Sequence, residues 1–99
     1  MIIKHNSENP VVLGNTPVLL DFWAQWCGPC KITLNNLYKF SDDHPEINIY
    51  EINVDECNEE FLENYHVQSL PTLICYENGI EVWRHNGLMT RQQLEEKFK

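Results

Sequence analysis

Basic residues are scarce in this 99-residue chain: seven lysines and arginines stand against fifteen aspartates and glutamates, a formal net charge of −8. That imbalance opposes binding to phosphate backbones and anionic headgroups, so neither nucleic acid nor a membrane surface is expected as a partner. No stretch approaches the roughly 20 apolar residues that a bilayer-crossing helix requires. The opening residues Met1 to Asn6 lack a basic region followed by a long apolar run and a small-residue cleavage site, and a cytoplasmic location is expected. Repeats, low-complexity tracts and linkers are also missing. One small domain over residues 1–99 is expected, since this length supports one core but not two. None of the four histidines has a spacing that suggests a ligand set or a catalytic triad. Cysteine is limited to four, which in a reducing compartment are catalytic, metal-binding or inert rather than a disulfide framework.

What is present is a patterned α/β chain. Val18 to Trp23 is nearly continuous apolar sequence with one acid in it, the signature of a central strand buried on both faces. After Pro29 the pattern becomes helical, with Thr33, Leu37 and Phe40 at helical spacing, until Asp42-Asp43-His44-Pro45 stops the helix. Ile47 to Val54 alternates as a second strand, and Asp55 is a candidate cap for a short helix through Tyr65. Thr72 to Tyr76 and Ile80 to His85 flank Asn78-Gly79, a tight hairpin turn, so the sheet is expected to be mixed. Thr90 with Gln93 has capping-box spacing and opens a last helix with Leu94 and Phe98 on one face.

The chemistry lies at the junction of the first strand and helix, in Trp26-Cys27-Gly28-Pro29-Cys30-Lys31. A thiolate is the nucleophile of thiol exchange, and Cys27, just before or at the first helical turn, would have its anion favoured by unpaired backbone N–H groups and the helix dipole. Cys30, one turn in, would be more buried and would resolve a mixed disulfide. Gly28 permits close approach of a partner, and Pro29 near the helix start gives up only an N–H that lacks a partner anyway. Half of a zinc site is the competing assignment, but Cys57 and Cys75 are not paired at knuckle spacing, and no metal site is expected. Cys75 fits a small core residue, and Cys57 is expected to be inert.

From about Pro17 to the C-terminus the chain resembles the thioredoxin family, whose active-site segment is similar to Asp21-Phe22-Trp23-Ala24 and Trp26-Cys27-Gly28-Pro29-Cys30-Lys31. Leu70-Pro71-Thr72 resembles that family's cis-proline loop, and Gly79 and Gly87 fall where its hairpin and substrate-loop glycines occur. The resemblance implies a central mixed β-sheet flanked by helices. It implies that Cys27 attacks, that Cys30 resolves, that the pair forms the redox-active disulfide, and that Pro71 packs against it in cis. It assigns a substrate groove to Trp26, Gly28, Pro29, Leu70, Pro71 and Gly87, with the Leu70 backbone free to bond an extended substrate. Asp21, an acid in a buried strand, should have a raised pKa and take a proton from Cys30. Trp26 is expected to shield the disulfide; Trp23 and Trp83 are expected to be packing residues.

The sequence also departs from the family. Glu51 stands where a typical member has a lysine next to the buried acid, and two neighbouring carboxylates raise one pKa unless Glu51 turns to solvent, the more ordinary outcome for a glutamate. Asn35 replaces a kinking proline, so the active-site helix runs straighter or bends differently. About sixteen residues precede the strand at Pro17, which implies a shortened N-terminal region. The implied activity is a protein dithiol–disulfide oxidoreductase acting in redox homeostasis, with no bound cofactor. Reducing equivalents would come from NADPH through a thioredoxin reductase, and disulfide-containing proteins would be substrates of a monomer. The alternatives are a binding subunit of a larger assembly and an oxidase or isomerase; Gly28-Pro29 resembles the reducing members and disfavours the latter.

Overall fold

The computed structural model describes residues 2–5 and 16–98. Five strands, β1 (Ile2–His5), β2 (Val18–Trp23), β3 (Asn48–Asn53), β4 (Thr72–Glu77) and β5 (Ile80–Asn86), form one sheet in the order β1-β3-β2-β4-β5. β1 and β2 run parallel to β3, whereas β4 is antiparallel to both β2 and β5, so the sheet is mixed, as expected. The helices are α1 (Gly28–Asp43), α2 (Glu59–Asn64) and α3 (Arg91–Lys97). The expected shortening of the N-terminal region falls on residues 6–15, which lie outside the described residues.

β2 is central because its apolar run has two faces to bury. Leu19 packs with Leu37 and Phe40 of α1 and with Leu94 of α3, while Val18, Leu20 and Phe22 pack on the opposite face against Phe61, Leu62 and Tyr65 of the α2 segment. Strand alternation puts Asp21 on the same face as Leu19, beneath α1. The hairpin turn places both Asn78 and Gly79 at positive φ, 53° and 77°, the conformation that Asn-Gly supplies at little steric cost. The capping box is present: the Thr90 hydroxyl accepts from the Gln93 N–H, and the Gln93 side chain accepts from the Thr90 N–H.

The helix expected from Asp55 to Tyr65 is instead two pieces, and Asp55 caps neither. Asn53 caps a 3-10 turn at Val54–Glu56 by accepting from the Asp55 N–H, and Asn58 caps α2 by accepting from the Phe61 N–H. Two asparagines five residues apart each offer the backbone a local acceptor, which splits the segment. α1 is uninterrupted through the exposed Asn35. Its C-terminal end is tied to α3 by His44, whose ring faces the Glu95 carboxylate at 3.0 Å, and by an ion pair between Arg91 and Asp43.

Candidate functional site

The site begins where β2 hands over to α1. Cys27 is the N-cap residue of α1, in extended conformation, and its sulfur accepts from the Cys30 N–H at 3.2 Å. One helical turn separates the cysteines, their Cα atoms are 5.3 Å apart, and they are joined in a disulfide. Cys30 is fully buried, whereas Cys27 retains 7% exposure. That difference distinguishes the two sulfurs: one is reachable from outside and the other is not. Around them Ala24 completes a small buried cluster against which Trp23, Val54 and Leu70 pack. A Cβ added at Gly28 would meet no atom within 4 Å, so this turn leaves open space beside the disulfide.

The Pro71 loop and the segment from Gly87 to Met89 are bonded to each other and to α1. The Leu70–Pro71 peptide is cis, as the resemblance implied, and the buried Pro71 offers its carbonyl to the Gly87 N–H at 2.8 Å. Gly87 has φ of 97°, a conformation that a side chain would strain. Beyond it, the Met89 N–H donates to Thr33 Oγ1 at 3.1 Å and the Asn36 side chain donates to the Met89 carbonyl at 3.0 Å. The segment after β5 is thereby fixed to α1.

A largely apolar groove of about 530 Å³ runs past the disulfide, lined by Trp26, Cys27, Gly28, Pro29 and Leu70 and extended by Val54, Leu62, Val67, Gln68 and Ser69. Pro71 and Gly87, two of the expected groove residues, are not in this lining and are joined to each other by a hydrogen bond. Trp26 is 71% exposed, and its indole N–H donates to Asp55 Oδ2 at 3.0 Å. Asp55 is therefore a residue of the site, holding the indole at the groove wall. The alternation that marked Val54 as a strand end gave no sign that Leu62 and Val67 would join the groove. Their contribution depends on how α2 docks, which is a tertiary matter.

Asp21 is fully buried, and neither carboxyl oxygen has a hydrogen-bond partner among the described residues. Asp21 shares with Leu19 the face of β2 that α1 covers, and α1 is the helix that carries Cys30. Desolvation by burial, reinforced by the nearby Glu51, pushes the Asp21 pKa from 3.8 to about 8. Glu51 does not turn to solvent: it lies opposite Asp21 in the β2–β3 register, is 5% exposed and accepts from the Tyr38 hydroxyl at 3.1 Å. The cover of α1, with Tyr38 above the sheet edge, buries a position that sequence alone would leave exposed.

The remaining cysteines are apart from this site. Cys75 is buried in β4, where burial pushes its thiol up to about 12, and Cys57 is half-buried with its thiol donating to the Asn53 carbonyl. Among the described residues no group of three or more His, Cys, Asp or Glu side chains is placed to hold a metal ion. No helix among them is long and apolar enough to cross a membrane. Trp83 packs edge-on against Phe98, at 5.9 Å between ring centroids, away from the groove.

Comparison with known proteins agrees with the geometry. The family model described as Thioredoxin matches residues 2–99. A thioredoxin of Alicyclobacillus acidocaldarius is 39% identical over 96 residues, covering 96% of this chain and 90% of that protein. A thioredoxin of Mycoplasma genitalium is 37% identical over 81 residues, covering 82% and 78% respectively. The X-ray structure of Fasciola hepatica thioredoxin superposes with a TM-score of 0.76 at 32% identity, over 85% of this chain and 79% of that one. A disulfide at the mouth of a groove, in a chain matched along nearly all its length, places this protein in the thioredoxin family as a dithiol–disulfide oxidoreductase.

Proposed function

We propose that Cys27 is the attacking thiol and Cys30 the resolving thiol of a protein-disulfide reductase. The Cys27 thiolate attacks one sulfur of a substrate disulfide, forming a mixed disulfide and releasing the substrate's other sulfur as a thiolate that takes up a proton. Cys30, deprotonated, then attacks Cys27 Sγ; the Cys27–Cys30 bond forms and the second substrate sulfur leaves, so the substrate gains two electrons and two protons overall. The observation that carries this assignment is the asymmetry of burial, with Cys27 at the helix N-cap beside the groove and Cys30 enclosed.

Asp21 is the proton acceptor for Cys30. Burial and the nearby Glu51 push the Asp21 carboxyl up to about 8, so it can take up a proton near neutral pH rather than only in acid. An extended substrate segment lies along Trp26, Gly28, Pro29 and Leu70, with backbone hydrogen bonds at Leu70 supplying affinity that does not depend on substrate sequence. The donor is NADPH through a thioredoxin reductase, the protein acts as a monomer in the cytoplasm, and its role is electron transport in redox homeostasis. Insulin-disulfide reduction with and without a thioredoxin reductase tests this: turnover is expected with reductase and NADPH. Biological activity in the cell that survives Cys27→Ser/Cys30→Ser, with insulin reduction lost, would instead identify a binding subunit.

A further inference from the structure

Two buried carboxyl groups lie side by side in this sheet, and only one of them has a place to put a charge. Lys4, Glu51 and Asp21 form one row across β1, β3 and β2, by the registers Lys4 with Glu51 and Glu51 with Asp21. Glu51 accepts the Tyr38 hydroxyl hydrogen bond and lines a polar cleft of about 260 Å³ with Lys4, Trp23, Gln25 and Asn53. Asp21 is not in that lining, is fully buried, and has no hydrogen-bond partner among the described residues. The Tyr38 hydroxyl and the polar cleft both lie against Glu51 and not against Asp21, and a charge on Glu51 disfavours a second one on the adjacent strand.

We propose that Glu51, pinned by Tyr38, is a positioning residue of the redox site: its charge holds the proton on Asp21 and thereby sets the pH at which Asp21 releases it. The bearing of this on catalysis rests on the assignment of Asp21 as proton acceptor for Cys30; the Glu51–Asp21 coupling itself does not. Other groups face the pair. From β1 and the cleft come Lys4 and His5, from the 3-10 turn Glu56, and from α1 Tyr38, with Asp42 lining a second cleft beside it. On β4 the neighbour of Asp21 is the apolar Leu73, followed on β5 by His85, whose ring bonds the Leu88 carbonyl. Of these, Lys4 alone aligns in register with Glu51 and opposes its influence, from an exposed position. Burial and the Glu51 carboxylate raise the Tyr38 pKa, so its hydroxyl keeps its proton and remains a donor.

The test is a carbon-13 NMR titration of the Asp21 carboxyl in the reduced full-length protein, its resonance assigned by loss in Asp21→Asn. The parent protein is compared with Glu51→Gln and Tyr38→Phe. Glutamine keeps the volume and an acceptor for Tyr38 while removing the charge. The Asp21 midpoint is expected to fall by about one unit or more in Glu51→Gln, while staying above that of an exposed aspartate because burial persists. Tyr38→Phe, which deletes one oxygen from a half-exposed side chain, is expected to lower it by less and serves if Glu51→Gln fails to fold. A midpoint unmoved or raised in either folded variant overturns the proposal. Mixed-disulfide resolution rates across pH separate the two assignments: a profile that shifts with the midpoint supports both. A midpoint that falls while the profile stays put upholds the coupling and overturns the role of Asp21 as proton acceptor.

Discussion

At the scale of single residues, the two cysteines are chemically unequal because one caps a helix and the other is enclosed by it. Cys30→Ser should therefore accumulate a covalent complex with a disulfide substrate, visible on non-reducing electrophoresis, while Cys27→Ser should form none and should lose at least about 10³-fold in turnover. Asp21 carries a cost to stability. Its folded pKa of about 8 lies above the ordinary 3.8, so between these values the folded state binds more protons than the unfolded chain. Its contribution is complete below about pH 4, declines as pH rises, and is lost above about pH 8. Asp21→Asn removes this loss, and urea unfolding of the oxidised protein should show a gain growing with pH to at most about 4 kcal/mol at pH 7, with little difference at pH 4. The placement and burial of Cys27, Cys30 and Asp21 were legible in sequence because each is fixed by local surroundings: a strand end, a helix start, an acid amid apolar residues. The burial of Glu51 was not, since alternation tells which face a residue takes but not what lies on top of it.

At the scale of elements, strands and caps with a local signal were read correctly from sequence: the β2 run, the Asn78-Gly79 turn and the Thr90/Gln93 capping box. The segment after β3 was misread because Asn53 and Asn58, as well as Asp55, are competent caps, and the two asparagines cap two separate pieces. Asp55 instead holds the Trp26 indole. Asn58→Ala should cost about 1 kcal/mol in chemical unfolding by removing the α2 cap. It should also raise KM for a protein substrate more than it lowers kcat, because Leu62 of α2 lines the groove while the cysteines stand on α1. Equal losses in kcat and kcat/KM would place the effect in the chemistry and contradict this.

At the scale of the whole molecule, charge is the property that the groove cannot supply. A net charge of −8 favours encounter with substrates whose disulfide is flanked by basic residues. Second-order reduction rates for a basic disulfide peptide should fall as salt rises from 20 to about 300 mM, and those for an acidic peptide should rise, with both converging once the Debye length falls below about 10 Å. The Gly87 N–H is spent on the Pro71 carbonyl and the Met89 N–H on the Thr33 hydroxyl, so neither irregular segment is loosely attached. Hydrogen exchange should reveal this: the amides of Gly87 and Met89, though outside any helix or strand, should exchange on the slow timescale of β2, and deleting the Thr33 hydroxyl should release Met89 first.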